Sequence, residues 1–492
     1  MNGDPRLCRG AREPHFGQPA FPRQPVRYAE ATYPKSVKSS ASFRLRATGK
    51  SSDWQPPMSK IVIISCVFPP ETSTAGINCQ DLASHMASDG HDVSVLCPLP
   101  SRPLGSRYPA FEDRTRIDVR REGAITVIRL PSFAAPQSRL WPRFRESYSF
   151  GVAASRYLAR HLADSDVVYS LSWPLIGQRL VSKTLVKMGI PLVLNVQDIY
   201  PESLLQKLPT LIRRLVRDPL MAWERAIVHR ACGVVVISQN MRRVYLDSRH
   251  VPTSRIVVIP TWHDEGLFWP LPKRAVAAGR YCVPQDLFTF LYLGNIGPVA
   301  GVEDAIRAFC AASVGSTQLV IVGEGSRKAA CQDIAERSGC PRIRFLSDPE
   351  VSNVPLLQSL ADVCVLPVRR GAAFTSVPSK LISYLFSANP VLGLVDSGSD
   401  SERTIREADC GWVVEPGNIH AAAEQIRRVA SIRPDELQRL GTNGRAYGLG
   451  HFSKKSCVPA LAKAIERFAG LDRKSPRSRC ISNSVQLTAA GL

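Results

Sequence analysis

The stretch KIVIISCVFPPETSTAGINCQDLASHMASDGHDVSVLCPLP, residues 60–100, predicts the fold of this chain. It opens with a run rich in β-branched residues (60–68), continues with a helical pattern (76–90) and ends in a second apolar run (91–100). Gly90 ends the helix as a C-cap residue does. Because both apolar runs are nearly continuous, we expect two parallel strands in a sheet that helices cover on both faces.

The same alternation of strand and helix continues to residue 265, stops, and starts again at residue 287. In the first part, further strands are predicted at 125–132, 166–172, 191–198, 233–239 and 256–262, and further helices at 149–163, 175–188, 203–215 and 219–231. In the second part, strands are predicted at 288–297, 317–325, 343–348, 361–368 and 390–396, and helices at 302–312, 326–338, 379–387, 418–430, 434–447 and 455–469.

This pattern indicates an α/β protein with two doubly wound, Rossmann-like domains in tandem. The first domain is predicted at 58–265 and the second at 287–450, joined by a linker at 266–286 that is rich in proline and basic residues. A terminal helix at 451–470 is expected to pack back on the first domain. Ligands of such sheets bind beyond the carboxyl ends of the strands, so we expect the site in the cleft between the domains.

The two ends of the chain lack this pattern. Residues 1–57 contain eight prolines, and ten Lys or Arg against four Asp or Glu. We interpret them as a disordered basic extension. A translation start at Met58 and a basic targeting arm are the alternatives. Residues 471–492, again basic, are interpreted as a disordered tail.

Composition limits the classes of partner and compartment. The formal net charge of +21 favours acidic partners: nucleic acid, anionic lipid or phosphorylated substrates. Aromatic residues make up 7% and form no stripe with basic ones, which disfavours nucleic acid. Thirteen cysteines without a C-x-x-C pair indicate reduced thiols in a cytosolic protein. The sequence predicts neither a transmembrane helix nor a secretory signal.

Arginines cluster around the last helices of the first domain. The segments TLIRRLV and PLMAWERAIVHRA combine them with apolar residues and Trp223. This composition favours peripheral contact with an anionic membrane, and a solvated helix face is an equally good interpretation. The arginines are Arg213, Arg214, Arg217, Arg225, Arg230, Arg242 and Arg243.

Two loops of the first domain carry candidate site residues. After the first strand, FPPETSTAGIN places Gly76 at a helix N-terminus, which suits an anion, although a plain βα loop explains it equally well. In NVQDIYPESL, Asp198 follows a strand and Glu202 opens the next helix. These carboxylates are candidates for a general base or for contact with sugar hydroxyls. An N-cap with a dipole-stabilising glutamate is the alternative.

Two loops of the second domain contain glycines at the ends of successive strands. YLGNIG contributes Gly294 and Gly297, and VGEG contributes Gly323 and Glu324. Glycines let the backbone approach a diphosphate closely. Two such loops that face one cleft are stronger evidence for a phosphate site than either loop alone.

A lysine at a helix start points to the same ligand. TSVPSKL places Pro378 at a predicted first helical position, with Ser379 and Lys380 in the first turn. A lysine there opposes the helix dipole. A bound anion explains this unfavourable position better than a solvated surface does.

The order of these motifs resembles the family 4 retaining glycosyltransferases of GT-B fold. The matching segments are FPPE, GIN, LASHMASDGHDVSVLCP, NVQDIYPESL, YLGNIG, GVEDAI, LVIVGEG, ADVCVLPV, VPSKLISYL and CGWVVEPGN. The resemblance extends from Met58 to Ala469. It is greatest to the bacterial branch that builds capsule, exopolysaccharide and O-antigen units, which includes fucosaminyl transferases.

The resemblance implies a nucleotide-sugar donor, UDP-linked in most members, that binds mainly to the second domain. It implies a saccharide or polyprenyl-diphosphate-linked acceptor on the first domain, at the cytoplasmic face of the membrane. Asp198 and Glu202 match the branch's segment at the cleft. By position, the residues expected around the donor are Gly76, Gly294, Asn295, Gly297, Gly323, Glu324, Ser379 and Lys380, with Arg369, Arg370 and Glu402 as further candidate phosphate contacts. No D-x-D motif occurs at the expected site, so we expect no cofactor and no metal.

The chain departs from the family at three positions, one of them Ala300, where a basic residue is common before Gly301. Many members have two glutamates with seven residues between them, the second in contact with the ribose, where this chain has Thr375 and Ser383. Lys380, with Arg369 and Arg370, is our candidate for the cationic charge at the site. Two rival functions remain open: a nucleotide-sugar 2-epimerase of the same architecture, and a non-catalytic partner of another transferase.

Overall fold

Two sheets organise the part of the chain that this computed structural model describes. The described residues are 59–71, 73–101, 108–111, 113–134, 140–171, 175–205, 208–272, 277–347, 350–374 and 378–471. The predictions made for residues 1–57 and 472–492 and for Thr375 lie outside them.

The first sheet has eight strands in the order β3-β4-β2-β1-β5-β6-β7-β8. Its strands are β1 (Lys60–Ile64), β2 (Asp92–Pro98), β3 (Asp118–Glu122), β4 (Ile125–Leu130), β5 (Val167–Leu171), β6 (Leu192–Val196), β7 (Gly233–Val236) and β8 (Ile256–Val258). All pairs are parallel except β3 with β4. The charged edge strand β3 was not predicted, because it lacks a buried apolar run and forms by pairing with β4 across the turn at Gly123.

Helices cover both faces of this sheet. They are α1 (Thr74–Ser88), α2 (Leu140–His161), α3 (Leu175–Met188), α4 (Glu202–Leu205), α5 (Thr210–Arg230) and α6 (Gln239–Arg249). Helices α2, α3, α5 and α6 share one core on one face, and α1 packs into a separate core on the other face. Ile63, Leu82 and Val95 are fully buried in the second of these cores.

The second sheet has six parallel strands in the order β11-β10-β9-β12-β13-β14. They are β9 (Phe288–Leu293), β10 (Thr317–Val322), β11 (Ile343–Leu346), β12 (Val363–Pro367), β13 (Val391–Leu394) and β14 (Gly411–Val414). The remaining helices are α7 (Ala277–Tyr281), α8 (Val302–Ala312), α9 (Lys328–Arg337), α10 (Val354–Gln358), α11 (Ser379–Phe386), α12 (Asp400–Glu407), α13 (Ile419–Ala430), α14 (Pro434–Phe452) and α15 (Lys454–Ala469). The prediction of two Rossmann-like α/β domains is confirmed.

Both sheets reverse their strand order at one point, between β1 and β5 in the first and between β9 and β12 in the second. The loops after adjacent strands diverge at such a point and leave a crevice for a ligand. The loop before Gly76 follows β1, and the loop with Gly294 follows β9. The fold therefore puts two of the candidate loops at the crevices.

The last helix, α15, crosses back to the first domain. Leu461 and Ile465 are fully buried in the core that contains β1, β2 and α1. His91 Nε2 lies 3.0 Å from Glu466 Oε1, and Lys454 forms a 2.7 Å ion pair with Asp81. The chain thus passes between the domains twice, before and after the second sheet.

Helices α2 and α5 differ most from their predicted bounds. Helix α2 begins nine residues before the predicted start at 149, because its first turns are largely exposed and carry no buried apolar stripe. Helix α5 runs unbroken through Pro219, where we predicted two helices. Pro219 lies on the exposed side, where water can bond to the carbonyl that the missing N–H leaves free. None of the described helices is both long and apolar enough to cross a bilayer.

Candidate functional site

A lysine lies across the first glycine of the loop that follows β9. Lys380 is the second residue of α11, and a Cβ on Gly294 would lie only 2.2 Å from Lys380 Cε. The Lys380 Nζ is 5.4 Å from the centroid of the Tyr292 ring. Two of the predicted phosphate-binding residues are therefore in direct contact, and the φ of +139° at position 294 favours glycine there.

The two glycine loops of the second domain pack against each other through their backbones. A Cβ on Gly323 would lie 2.1 Å from the Gly294 carbonyl oxygen, and one on Gly325 2.3 Å from the Ile296 carbonyl oxygen. The Ile296 N–H donates to the Glu324 carbonyl at 2.8 Å. The Tyr292 hydroxyl donates to the Asn295 carbonyl at 2.6 Å. These contacts hold both loops as one surface at the carboxyl edge of the sheet.

The electrostatics around Lys380 favour an anion. Burial lowers the pKa of its ammonium group. Within the described ranges, no carboxylate forms an ion pair with it. Pro378 is the N-cap of α11, not its first residue as predicted, and it supplies no side-chain cap to the N–H groups of the first turn. The site thus combines an unpaired cation with the positive end of a helix.

Arg369 and Arg370 lie in the loop after β12, at the switch point of the sheet. Both side chains are exposed. The Arg369 N–H donates to the Val299 carbonyl at 3.0 Å, which joins this loop to the one after β9. Arg370 Nη2 donates to the Pro416 carbonyl at 3.1 Å. Arg369 is thus placed beside the glycine loop, whereas Arg370 is directed toward the loop after β14.

Three further predicted residues already have partners in this conformation. The exposed Glu324 carboxylate accepts from Lys328 and Ser347, and these contacts lower its pKa. Burial alone would raise the pKa of Glu402, but its bonds from Gly398 and Arg406 lower it. The Ser379 carbonyl lies 3.3 Å from His263 Nε2. Glu402 therefore acts in the cap of α12, and its contact with a phosphate stays a prediction.

In the first domain, Glu202 belongs to an ion-pair cluster around the buried Arg249. Arg249 is fully buried and binds both Glu202 oxygens, at 2.7 and 2.6 Å, and Glu224 at 2.9 Å. Burial raises the pKa of Glu224, although Arg249 opposes this. This arrangement gives Glu202 an anchoring role between α4, α5 and α6. Its catalytic role stays a prediction.

The other first-domain candidates lie at the carboxyl edge of the first sheet. Asp198 follows β6 and is exposed. The Gly76 N–H donates to the Ser73 side chain at 3.1 Å. In this conformation the N-terminus of α1 is therefore capped by a side chain of the protein itself. Among the described residues, no group of three or more His, Cys, Asp or Glu side chains is placed to hold a metal ion.

Comparison with known proteins matches the two domains to two family models. Residues 74–262 match the glycosyl transferase 4-like domain, and residues 281–447 match the glycosyl transferases group 1 domain. The chain is a family 4 glycosyltransferase of GT-B fold. One relative is WcaI of Escherichia coli K12, a glycosyl transferase named for colanic acid biosynthesis. It is 26% identical over 75% of this chain and 91% of its own length.

Two solved structures show the fold of this glycosyltransferase. Sucrose-phosphate synthase from Thermosynechococcus elongatus has a TM-score of 0.66 at 18% identity, covering 84% of this chain and 99% of its own. Anabaena HepE in complex with UDP-glucose has a TM-score of 0.59 at 14% identity, covering 83% of this chain and 100% of its own. At these identities the likeness concerns the fold alone.

Ser383, which we predicted to stand at the position of the family's second glutamate, is buried in this glycosyltransferase. Ser383 accepts from Gln358 Nε2 at 3.0 Å and donates to the Lys380 carbonyl at 2.9 Å. The Ser387 hydroxyl donates to Gln358 Oε1 at 2.5 Å. Ser383 thus stabilises the packing of α10 and α11, and no acid stands at this position.

Sequence reasoning missed two tyrosines that shape the glycosyltransferase's glycine loop. Tyr292 bonds to the Asn295 carbonyl, and the Tyr384 hydroxyl accepts from the Leu293 N–H at 3.0 Å. Burial raises the pKa of Tyr292 and of Tyr384, so both hydroxyls keep their protons. In the sequence both tyrosines fit an apolar core pattern, and nothing local indicates the partner of either hydroxyl.

Proposed function

We propose that this glycosyltransferase moves a sugar from a nucleotide donor, UDP-linked, to a saccharide or polyprenyl-diphosphate-linked acceptor. The reaction proceeds with retention at the anomeric carbon. It takes place at the cytoplasmic face of the membrane, in the synthesis of a bacterial surface polysaccharide.

One observation carries the donor part of the proposal: the contact of Lys380 with Gly294. The lysine offers a partly desolvated cation that no carboxylate of the described residues neutralises. The loops beside it contain several glycines, and glycine lets a backbone approach a phosphate closely. A diphosphate fits both features, and Arg369 on the neighbouring loop is the candidate for a second cation.

The same arrangement supports a role in the chemistry. When the bond between the anomeric carbon and the diphosphate breaks, negative charge develops on the leaving oxygen. A cation and a helix N-terminus already in place stabilise that charge without reorganising. Lys380 and the first turn of α11 are the candidates. The donor phosphate accepts the acceptor's proton in this scheme, and Asp198 is the candidate contact for acceptor hydroxyls.

One relative and one structural neighbour are in keeping with the proposed substrate classes. WcaI is named for the biosynthesis of an exported polysaccharide, and HepE was solved with UDP-glucose. The fold and the crevice of this chain suit the same class of donor. The cluster of arginines on the first domain suits an acceptor that is held at an anionic membrane.

The test of donor binding is a thermal-shift series with UDP, GDP and TDP and their glucose conjugates. A ligand that binds only the folded state raises the melting temperature in proportion to its occupancy. We expect UDP and UDP-sugars to stabilise the protein and GDP and TDP forms to do so less. Equal or absent shifts for all nucleotides would overturn the donor assignment.

The test of the reaction uses the donor that gives the largest shift. Proton NMR of donor with enzyme alone distinguishes an epimerase, which converts the donor without an acceptor. With a lipid-diphosphate saccharide added, we expect a new glycoside whose anomeric configuration matches that of the donor. Tight UDP binding without turnover for any acceptor would favour the non-catalytic partner.

A further inference from the structure

One outer face of the first domain is strongly basic. It is formed by α2, α3 and α5, which lie side by side over one core of the first sheet. Together they contain twelve Lys or Arg against three Asp or Glu, a formal charge of +9 out of the chain's +21. Helix α3 contains no acidic residue at all. We call this surface the three-helix face.

Large apolar side chains are exposed on the same face. Trp141 on α2 is 70% exposed, and Leu211 and Leu215 on α5 are 72% and 71% exposed. Ile212 and Val186 are also exposed. The exposed residues of α5 alternate with Arg213, Arg214 and Arg217. Water-facing apolar groups of this size cost free energy in a free monomer, so the pattern indicates a surface that something covers.

Four aromatic side chains gather at the start of α2, and we call them the aromatic cluster: Phe133, Trp141, Phe144 and Tyr148. The Trp141 and Phe144 rings stack with their centroids 5.7 Å apart. The guanidinium of Arg145 lies 4.4 Å from the Phe133 ring centroid. The cluster borders a shallow groove of about 410 Å³. Aromatic rings beside arginines are the residue types that anchor proteins at the level of lipid headgroups.

A second groove on the face, of about 560 Å³, is lined by four basic residues. Its rim holds Arg156, Lys183, Lys187 and Arg230, and its floor is largely aliphatic. Within the described part of the chain none of the four pairs with a carboxylate. Arg230 Nη1 is buried without a hydrogen-bond partner there. Burial, with the nearby Arg179, lowers the pKa of Arg230. Anionic headgroups would neutralise this excess charge.

Topology places the exposed apolar groups near the acceptor end of the domain. Helices α2, α3 and α5 each lead from the carboxyl end of one parallel strand toward the start of the next. Their N-terminal ends therefore lie at the carboxyl edge of the sheet, the edge where ligands of such folds bind. The aromatic cluster and the exposed leucines of α5 occupy these N-terminal ends, and the cationic groove lies nearer the opposite ends.

We propose that the three-helix face binds an anionic bilayer, with the aromatic cluster and the first turns of α5 at the depth of the headgroups. Lipid fits the surface better than a folded protein partner does, because basic residues flank the exposed apolar side chains along all three helices. This inference deepens the proposed acceptor assignment, since the face would hold the enzyme beside a lipid-linked acceptor. The binding itself requires neither donor nor acceptor.

The test is flotation of the full-length protein with vesicles of phosphatidylcholine, with and without 30% phosphatidylglycerol. Each arginine near an anionic surface contributes about fivefold to affinity. We therefore expect Arg213→Gln/Arg214→Gln/Arg217→Gln to weaken binding on the order of 100-fold. Trp141→Ala/Phe144→Ala should weaken it at least tenfold, and salt should weaken wild-type binding.

Matched controls remove the same kinds of side chain at sites outside the three-helix face. Lys455→Gln/Lys463→Gln/Arg428→Gln removes three cations that are exposed on other helices, and Trp269→Ala removes a tryptophan that is 44% exposed. Both should float as the wild type does. Transfer to a water-soluble acceptor should be unchanged in all variants, so a failed membrane test and a failed glycosyltransferase assignment are told apart.

Three outcomes would overturn the proposal. Equal binding to both vesicle types would exclude an anionic partner. Binding that the face variants leave intact would assign it to another part of the chain. Light scattering that shows a dimer, lost in the Trp141→Ala/Phe144→Ala variant without any vesicle binding, would identify a second copy of the chain as the partner.

Discussion

At the scale of single residues, Lys380 has opposite effects on stability and on binding. Burial disfavours its charged form, and the N-terminus of α11 repels a cation. Neither effect stabilises the unliganded fold. A diphosphate in the crevice would reverse both, because it supplies the missing countercharge. The residue is thus better explained by a ligand than by folding.

Lys380→Met tests this explanation, because methionine keeps the stem over Gly294 and removes the charge. We expect the unliganded variant to melt at a temperature at least as high as the wild type. The thermal shift by UDP should be lost. In the wild type, UDP affinity should fall as pH rises through the lowered pKa of Lys380, and the variant should lack this dependence. A variant with normal UDP binding would exclude the phosphate role.

Gly323→Ala tests how tightly the two glycine loops pack. Gly323 has a φ of +143°, and an added Cβ would meet the Gly294 carbonyl. We expect a loss of more than about 2 kcal/mol in the free energy of unfolding. Gly339→Ala is the control, since Gly339 has a φ of +62° with open space around it. Backbone strain alone should lower the free energy of unfolding of this control by about 1 kcal/mol. Equal losses, measured by urea denaturation, would mean that the loop contact is unimportant.

At the scale of elements, the Arg249 side chain joins helices α4, α5 and α6. Helix α4 is only four residues long and has little core of its own. The two carboxylates that Arg249 binds come from the start of α4 and the middle of α5. The segment with Asp198 and Glu202 is therefore held in place through a buried charge on α6.

Arg249→Met should lower the free energy of unfolding by about 3–5 kcal/mol, because it leaves Glu224 buried without its cation. The pKa of Glu224, already raised, would rise further. A carboxyl whose folded-state pKa is raised destabilises the fold as pH rises through that pKa. The loss of stability relative to the wild type should therefore be smaller at pH 5 than at pH 8. Thermal unfolding of both proteins at the two pH values measures it.

Glu202→Gln separates anchoring from catalysis, since it keeps the Arg249–Glu224 pair. If Glu202 is an anchor, the variant should be less stable and its turnover per folded molecule should stay near that of the wild type. If Glu202 is catalytic, the reverse should hold: turnover should fall by a factor on the order of 100 or more, with little change in melting temperature. Paired melting and initial-rate measurements decide between them.

At the scale of the whole molecule, the two domains depend on shared segments. Helix α15 supplies Leu461 and Ile465 to the first domain's core, although it follows the second domain in sequence. Phe268, Ala277 and Ala278 of the linker region are buried in the second domain's core. Asn240 Nδ2 donates to the Gly398 carbonyl between the domains at 2.9 Å.

A chain ended at Phe452 should therefore lose the first domain's fold and not only its tail. We expect insolubility, or binding of a hydrophobic dye at room temperature. A chain ended at Leu471 retains α15 and should melt as the full-length protein does. A soluble first variant with the wild-type melting temperature would show that α15 is dispensable for the core.

Local patterns in the sequence were sufficient for much of the fold. Helices α3 and α8 have the predicted bounds, and the buried strands were found, because a periodic apolar pattern reports burial directly. The glycine loops and Lys380 could be named as phosphate candidates because glycines at strand ends and a cation in a first helical turn are local signals.

Tertiary structure alone decided which of these groups meet. Lys380 reaches Gly294, and Arg249 binds carboxylates 25 and 47 residues away, through contacts that no local pattern encodes. Edge strand β3 forms only against β4, and the start of α2 lacks a buried stripe because its apolar side chains face outward. Hydrophobic periodicity describes what a segment buries. Partner choice depends on how distant segments pack, and that is set only when the whole chain folds.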